Sequence, residues 1–353
     1  MEWTRVLQGK EGFSFQQRAL PKCERFGKTA RADKAPIPIR GWNSFQMPGR
    51  WRILFPADLF PSRTALQVDF QMITDCHTHI FEFPGHISQA FADEANSRSR
   101  GKPIGLHVPP KRHWEEMRHV DRAIVFGIRA FHSGLSSPNE YIADYVKMHP
   151  EKLIGFAAVD PMHDQVHEVL EHAIADLKLR GVKLGPIYQN IHPLDERMMP
   201  VYEFCEKRNL PILIHQGTTF PQKAPLKFSL PILLEDVAMK HPDLKMIIAH
   251  LGHPWIDDTI VLIRKQPNFY ADISALHYRP WQFYNALILA REYGVLNKLL
   301  FGSDFPFTTP DATIESLRNF NKMAEGTNLP RLAPEEIEAL IHSPTLQLLE
   351  LES

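Results

Sequence analysis

Residues 72–80 read MITDCHTHI, and how this stretch is read decides the fold. It is a short apolar run carrying two histidines one residue apart. As a strand it sends His77 and His79 to the same face, because successive side chains alternate. Cys76 and Thr78 are then expected on the opposite face, toward a layer of helices, with Cys76 a packed small residue rather than a nucleophile or ligand. Two imidazoles on one face either satisfy each other by hydrogen bonding or hold an ion such as zinc. The pair alone leaves both readings open.

The same kind of run recurs further along the chain. Residues 123–128 (AIVFGI), 153–159 (LIGFAAV), 181–184 (GVKL), 211–215 (PILIH), 245–250 (KMIIAH), 269–274 (FYADIS) and 298–302 (KLLFG) are strand patterns. Helical periods separate most of them, over 137–148, 164–179, 195–208, 231–240, 257–265 and 280–293. Two more helical stretches follow, at 310–324 and 334–349. Ser137 reads as an N-cap, with Pro138 in the first turn and Glu140 completing a capping box. Eight apolar strands alternating with helices predict an α/β fold, a parallel sheet closed into a (β/α)8 TIM barrel with an N-terminal extension. An open doubly wound sheet is the competitor, but no Gly-x-Gly-x-x-Gly follows the first strand. The segment 81–122 is long, and a barrel would lay it over the mouth.

Chemistry-bearing residues cluster at the strand ends. His215 ends the fifth strand, His250 ends the sixth, and Asp304 follows the eighth. In a barrel those ends converge on one mouth. Arg129, just past the second strand, suits a bidentate clamp on a carboxylate. Tyr188 and Gln189, after the fourth strand, are placed to line a pocket. His253 either touches substrate or hydrogen-bonds across its own loop, and Trp255 packs that loop. Asp272, inside the seventh strand, is placed to orient a histidine. His163, His167 and His172 lie among charged neighbours on a helical stretch and read as solvated.

The chain has 353 residues and 18 histidines, none of them in the first 71 positions. Those 71 residues hold twelve lysines and arginines against six acids, whereas the remainder holds 28 against 35. With six interrupting prolines, residues 1–71 read as a basic, poorly ordered extension, and 72–353 as the functional barrel. The 282 residues from Met72 onward suit one barrel of ~250 residues with modest insertions. A net charge of −1 argues against a nucleic-acid partner. No apolar run of ~18 residues appears, so no membrane span is expected. The absence of a secretory h-region and only three cysteines without a CxxC pair point to a reducing, cytoplasmic setting.

Taken together, DCHTHIF at 75–81, GVKLGP at 181–186, PILIHQGT at 211–218, IIAHLGHPW at 247–255, ADIS at 271–274 and LLFGSDFP at 299–306 resemble the amidohydrolase superfamily. The nearest branch is the amidohydrolase-related group (family 2) that includes aminocarboxymuconate-semialdehyde decarboxylase, and the resemblance runs from Met72 to the C-terminus. It implies that His77, His79, His215 and Asp304 hold one divalent metal ion, zinc first, with manganese or iron as alternatives. It makes His250 an acid/base group rather than a primary ligand. Such a ligand set leaves a position for water, which a metal acidifies from a pKa of ~15.7 toward ~7. In binuclear members a carboxylated lysine near the end of strand four bridges two metals. This branch works with one, so Lys183 is expected to contact a substrate carboxylate or to stand as a buried structural ammonium. The close, IHSPTLQLLEL at 341–351, departs from the family at Ser343 and Pro344.

The implied function is a metal-dependent hydrolase of a small, carboxylated organic substrate, with catalytic Asp304 or His250 taking the proton from activated water. Arg129, Lys183, Tyr188 and His253 are the substrate-binding candidates. The alternative is a non-oxidative decarboxylase, a carboxy-lyase of a small aromatic or unsaturated acid, which needs the same ligands. A binding protein on a degenerate barrel would have lost a ligand, and this set is complete. The branch also suggests a homodimer whose partner lends an arginine to the site.

Overall fold

The computed structural model describes residues 72–99 and 103–352, so the extension expected over residues 1–71 lies outside the described residues. Each of the eight apolar runs forms a strand. They are β1 (Thr74–His79), β2 (Arg122–Phe126), β3 (Leu153–Gly155, continuing as Ala157–Ala158), β4 (Val182–Leu184), β5 (Ile212–Ile214), β6 (Met246–Ile248), β7 (Phe269–Asp272) and β8 (Leu299–Leu300). All neighbouring pairs among them are parallel. Within β3 the bonding changes partner at Phe156. Its N–H donates to Val125 on β2 at 3.0 Å, and the next N–H, of Ala157, donates to Gly181 ahead of β4 at 2.8 Å. The last strand returns to the first through Cys76 N–H to Phe301 O at 2.9 Å, Asp304 N–H to His77 O at 2.8 Å and His79 N–H to Phe305 O at 2.9 Å. The sheet therefore closes as the expected (β/α)8 barrel and leaves no free edge.

Alternation along the strands sorts the core into two clusters. Ala123, Val125, Val182, Leu184, Ile212 and Ile214 pack outward against the helices. Ile124, Phe126, Ile154, Phe156, Leu213, Ile247, Tyr270 and Leu300 fill the inside. Leu346, Leu349 and Leu351 join this inner cluster. They approach from the N-terminal ends of the strands, where Glu350 pairs with Lys245 at 2.9 Å. The stretch expected as one helix over 334–349 is two, Pro334–Ile341 and Thr345–Leu348. Pro344 has no N–H for the helical ladder. The break frees Ser343 Oγ to accept from Phe301 N–H at 2.9 Å, which fixes the tail under β8.

Two local expectations are corrected. Asp75 pairs with Ala123 and Thr78 with Val125, so β1 takes three steps where β2 takes two. This bulge turns Cys76 into the inner cluster rather than toward the helices. Thr78 keeps its expected outward direction, and its hydroxyl meets Ile124 O at 2.6 Å and His113 Nε2 at 2.9 Å. The helix expected from Ser137 is Asn139–Met148, with Pro138 at the N-cap position and no side-chain cap. Ser137 is pinned instead by its N–H to Ile128 O at 3.0 Å, and its Oγ is buried without a partner.

The long segment after β1 contains helices Gln89–Ser97 and Pro110–Glu116. Ser88 caps the first by accepting from Phe91 N–H. Among the described residues no helix is long and apolar enough to cross a membrane.

Candidate metal centre

At the C-terminal ends of the strands a cavity of about 690 Å³ opens. His77 and His79 of β1, Lys183 of β4, His215 after β5, His250 after β6 and Asp304 after β8 all line it. The described parts of the segment after β1, 81–99 and 103–122, contribute Phe81, Phe91, Ile104 and Leu106 to its wall, where the segment is expected.

Among the described residues, His77, His250 and Asp304 form a grouping of donor atoms that all lie within 4.8 Å of one another. His77 Nε2 and His79 Nε2 are each 3.3 Å from Asp304 Oδ1. His250 Nε2 is 4.0 Å from Asp304 Oδ2. These contacts are not ion pairs of charged imidazoles. Burial, with Lys183 adding to it, pushes His77 down to about 3. Burial likewise holds His79 and His215 well below the usual histidine range and His250 at about 4. Neutral imidazoles are the form that binds a metal.

Asp272 answers to its expected role. Its Oδ2 accepts from His77 Nδ1–H at 2.8 Å, which leaves Nε2 as the lone-pair atom. Its Oδ1 accepts from His250 N–H at 2.9 Å and Ser274 Oγ at 2.5 Å. Burial opposes its charge, but His77 and the Ser274 hydroxyl outweigh that and keep the carboxyl below the usual range. A carboxylate behind a ligating imidazole fixes tautomer and ring direction in metal sites. Asp304, by contrast, is raised well above the ordinary carboxylate range by burial. His79 Nδ1 is buried without a partner. Lone pairs of His77 and His79 facing a buried carboxyl oxygen, with one imidazole nitrogen unsatisfied, make a donor set that fits a divalent cation.

The backbone is bent to build this set. Asp304 has φ 65° and His250 φ 55°, both in the left-handed region that costs a non-glycine residue about 1–3 kcal/mol. The bonds from Asp304 N–H to His77 O and from His250 N–H to Asp272 hold those turns. Space is equally tight at Gly302, where a Cβ would stand 3.1 Å from His77 Cβ and 3.4 Å from Cys76 Sγ.

Other candidates separate cleanly. Lys183 Nζ is 3.3 Å from His77 Nε2 and lies over the Phe126 ring, 4.6 Å from its centre. Burial brings its ammonium down to about 8. His215 stands in the cavity wall with its ring 5.2 Å from that of His250, and its Nε2 faces Thr218 O at 3.1 Å, outside that donor grouping. Tyr188 packs on His215 at 4.8 Å, and His253 lines the same cavity. Arg129 is a correction. It is absent from the cavity wall, and Asp164 takes its guanidinium through two bonds of 2.9 and 2.6 Å. Gln189 also points away, donating to Arg129 O and Val159 O.

Three residues escaped the sequence reading. Ser274 hydrogen-bonds Asp272 and His250 Nδ1, the latter at 2.8 Å, and two-residue alternation from Asp272 would have found it. Asp75, inside the quoted DCHTH, accepts from His77 N–H and Ser303 N–H and so ties β1 to the loop that carries Asp304. Arg279, in the loop after β7, lines the cavity, and no local pattern marks it.

The fold agrees with comparisons to known proteins. An amidohydrolase family model matches residues 74–345. The 2-amino-3-carboxymuconate-6-semialdehyde decarboxylase of Dictyostelium discoideum is 23% identical over 219 residues, covering 52% of this chain and 60% of that protein. An uncharacterised TIM-barrel protein from Bordetella bronchiseptica superposes with a TM-score of 0.60 at 22% identity, over 79% of this chain and 98% of that one. A dihydroxybenzoic acid decarboxylase from a Polaromonas species, solved with manganese and 2-nitroresorcinol, superposes at 0.57 with 16% identity, over 79% and 97%. With the family match spanning nearly all of the barrel, this chain belongs to the amidohydrolase family.

Proposed function

We propose that the protein is a metal-dependent, non-oxidative carboxy-lyase acting on a small aromatic or unsaturated carboxylic acid. The observation that carries this reading is Lys183. Its ammonium is 2% exposed on the cavity floor, beside His77, and among the described residues no carboxylate lies within ion-pair distance of it. A buried cation that no carboxylate contacts directly favours a substrate that brings one. The two decarboxylases to which the chain is similar support the same choice.

His77, His79 and Asp304 would hold the metal, with His215 and His250 beside them. A bound divalent ion supplies positive charge to the substrate's oxygens. Lys183 binds the carboxylate that leaves. Phe81, Phe91, Tyr188 and Phe220 hold a planar skeleton and exclude water. His250, whose Nε2 lies 4.0 Å from Asp304 Oδ2 in the cavity wall, gives a proton drawn from solvent to the substrate carbon. The bond between that carbon and the carboxylate breaks, its electron pair ends in the new C–H bond, and CO2 leaves. One proton is consumed and nothing is oxidised. His250, left neutral, takes up the next proton from solvent.

Hydrolysis uses the same groups, and the neutral His250 is the observation on its side, since it suits a base. An assay of CO2 release decides between them. The metal-reconstituted chain is expected to release CO2 from a panel of hydroxybenzoates and unsaturated acids, to stop on chelation and to resume on metal return. A hydrolytic product without CO2 would overturn the choice.

A further inference from the structure

We propose that Arg279 binds a second anionic group of the substrate, so that the cavity selects a dianionic acid over a monocarboxylate of the same skeleton. The proposal rests on the carboxy-lyase reading, since it takes the leaving carboxylate to be the group at Lys183.

The cations at the mouth differ in what already occupies them. Arg112 spends its Nη1 on Gly105 O and His107 O, at 2.6 and 2.8 Å, and so braces the segment over the cavity. Arg129 is taken by Asp164. Arg98 is exposed on the rim. Arg279 is half-buried in the wall, and a single bond orients it, from Nη1 to Ala275 O at 3.1 Å. Its guanidinium lies 4.5 Å from the centre of the Tyr278 ring. A ring face leaves the edge of a planar guanidinium open, and that edge is the part that meets a carboxylate. Among the described residues no acid comes within ion-pair distance of Arg279, and the helix that follows, Pro280–Glu292, has none in its first turn. Ala275, which supplies the orienting carbonyl, has φ 53°. The loop therefore accepts backbone strain in the turn that carries this arginine.

His253 faces the same part of the cavity. It is 8% exposed, and its Nδ1 is buried without a partner. Burial first, and then the charge of Arg279, hold it down to about 4, so it offers a neutral ring beside a cation. A cation and an unsatisfied imidazole nitrogen on one wall, with Lys183 on the floor, give the cavity two separate anion positions. An arginine fork distinguishes a substrate bearing both anions from one bearing a single carboxylate through charge-assisted bonds.

Calorimetric titration of the full metal-loaded chain with isophthalate, terephthalate and benzoate tests this without turnover. At least one of the two dicarboxylates is expected to bind at least tenfold more tightly than benzoate. Arg279→Gln is expected to bring that ratio to within twofold, and Arg279→Lys to restore part of it, with unchanged melting temperature as the check on folding. Arg98→Gln is expected to keep the preference. Equal binding of all three acids, or a ratio that survives Arg279→Gln, overturns the proposal, and loss of the ratio in Arg98→Gln moves the site to the rim and overturns it equally. A ratio that depends on Arg279 without CO2 release from any acid would sink the carboxy-lyase reading alone. CO2 release with no ratio would sink this inference alone.

Discussion

The two ends of the barrel are built from the same strands, yet they do opposite work. At the N-terminal end the inward positions are Leu213, Ile247, Tyr270 and Leu300, and three leucines of the C-terminal tail close them off. Two to four residues further along each strand or just past it stand His215, His250, Asp272 and Asp304. The lower layer buries apolar area and is indifferent to chemistry. The upper layer buries imidazoles, an ammonium and two carboxylates, which costs stability unless each finds a partner. The contrast shows where the molecule spends stability for function, and it can be broken from either end.

The largest effect is expected at the mouth. Asp304→Asn removes the carboxylate shared by His77 and His79, and activity should fall by at least about 10³-fold, with metal lost on dialysis. Metal content and CO2 release read this together, and retained metal with retained turnover would show that Asp304 is not the shared ligand. At the closed end, Leu349→Ala should cost about 2–5 kcal/mol of stability while leaving metal affinity alone. Denaturant unfolding alongside metal titration tests the split, and a parallel loss of metal affinity would mean that the two layers are coupled. Behind the ligands, Asp272→Asn keeps the shape but loses the charge that sets the His77 proton. Metal affinity should drop about 10–100-fold, with little change in fold.

The smallest effect lies outside the barrel wall, behind Thr78. His113 bonds Tyr145 at 2.9 Å and Thr78 at 2.9 Å, and burial pushes it down to about 3. In the unfolded chain its pKa is about 6.5. Between those values the unfolded chain binds one more proton than the folded one. The stability that this group contributes is thus full above pH 6.5 and is lost as pH falls toward 3. The slope for one group is about 1.4 kcal/mol per pH unit. Unfolding of the wild type and of His113→Gln across pH 6 to 4 should therefore diverge in slope by up to that amount, and parallel curves would place His113 in water.

Much of this was legible in the sequence because it depends on period and position. The eight strands are each a run of inward and outward apolar residues, and the ligand-type residues stand at their ends, so both barrel and mouth follow from alternation. Cys76 was misplaced because a bulge adds a residue that a two-residue period does not register. Arg129 was misassigned because its partner, Asp164, lies 35 positions away on another strand's loop. Arg279 was invisible for the converse reason: its interest lies in having no acid nearby, a property of the fold and not of its neighbours in sequence. Lys183 sits between these cases. Its strand marks it as inward, but only the cavity shows that it meets a histidine and no acid.

The most direct test of the central claim is turnover in D2O, with the product followed by NMR. The account predicts one deuterium on the carbon that lost CO2, no water oxygen in the remaining product, and no exchange after chelation. A product that keeps every carbon and carries oxygen from water would contradict it.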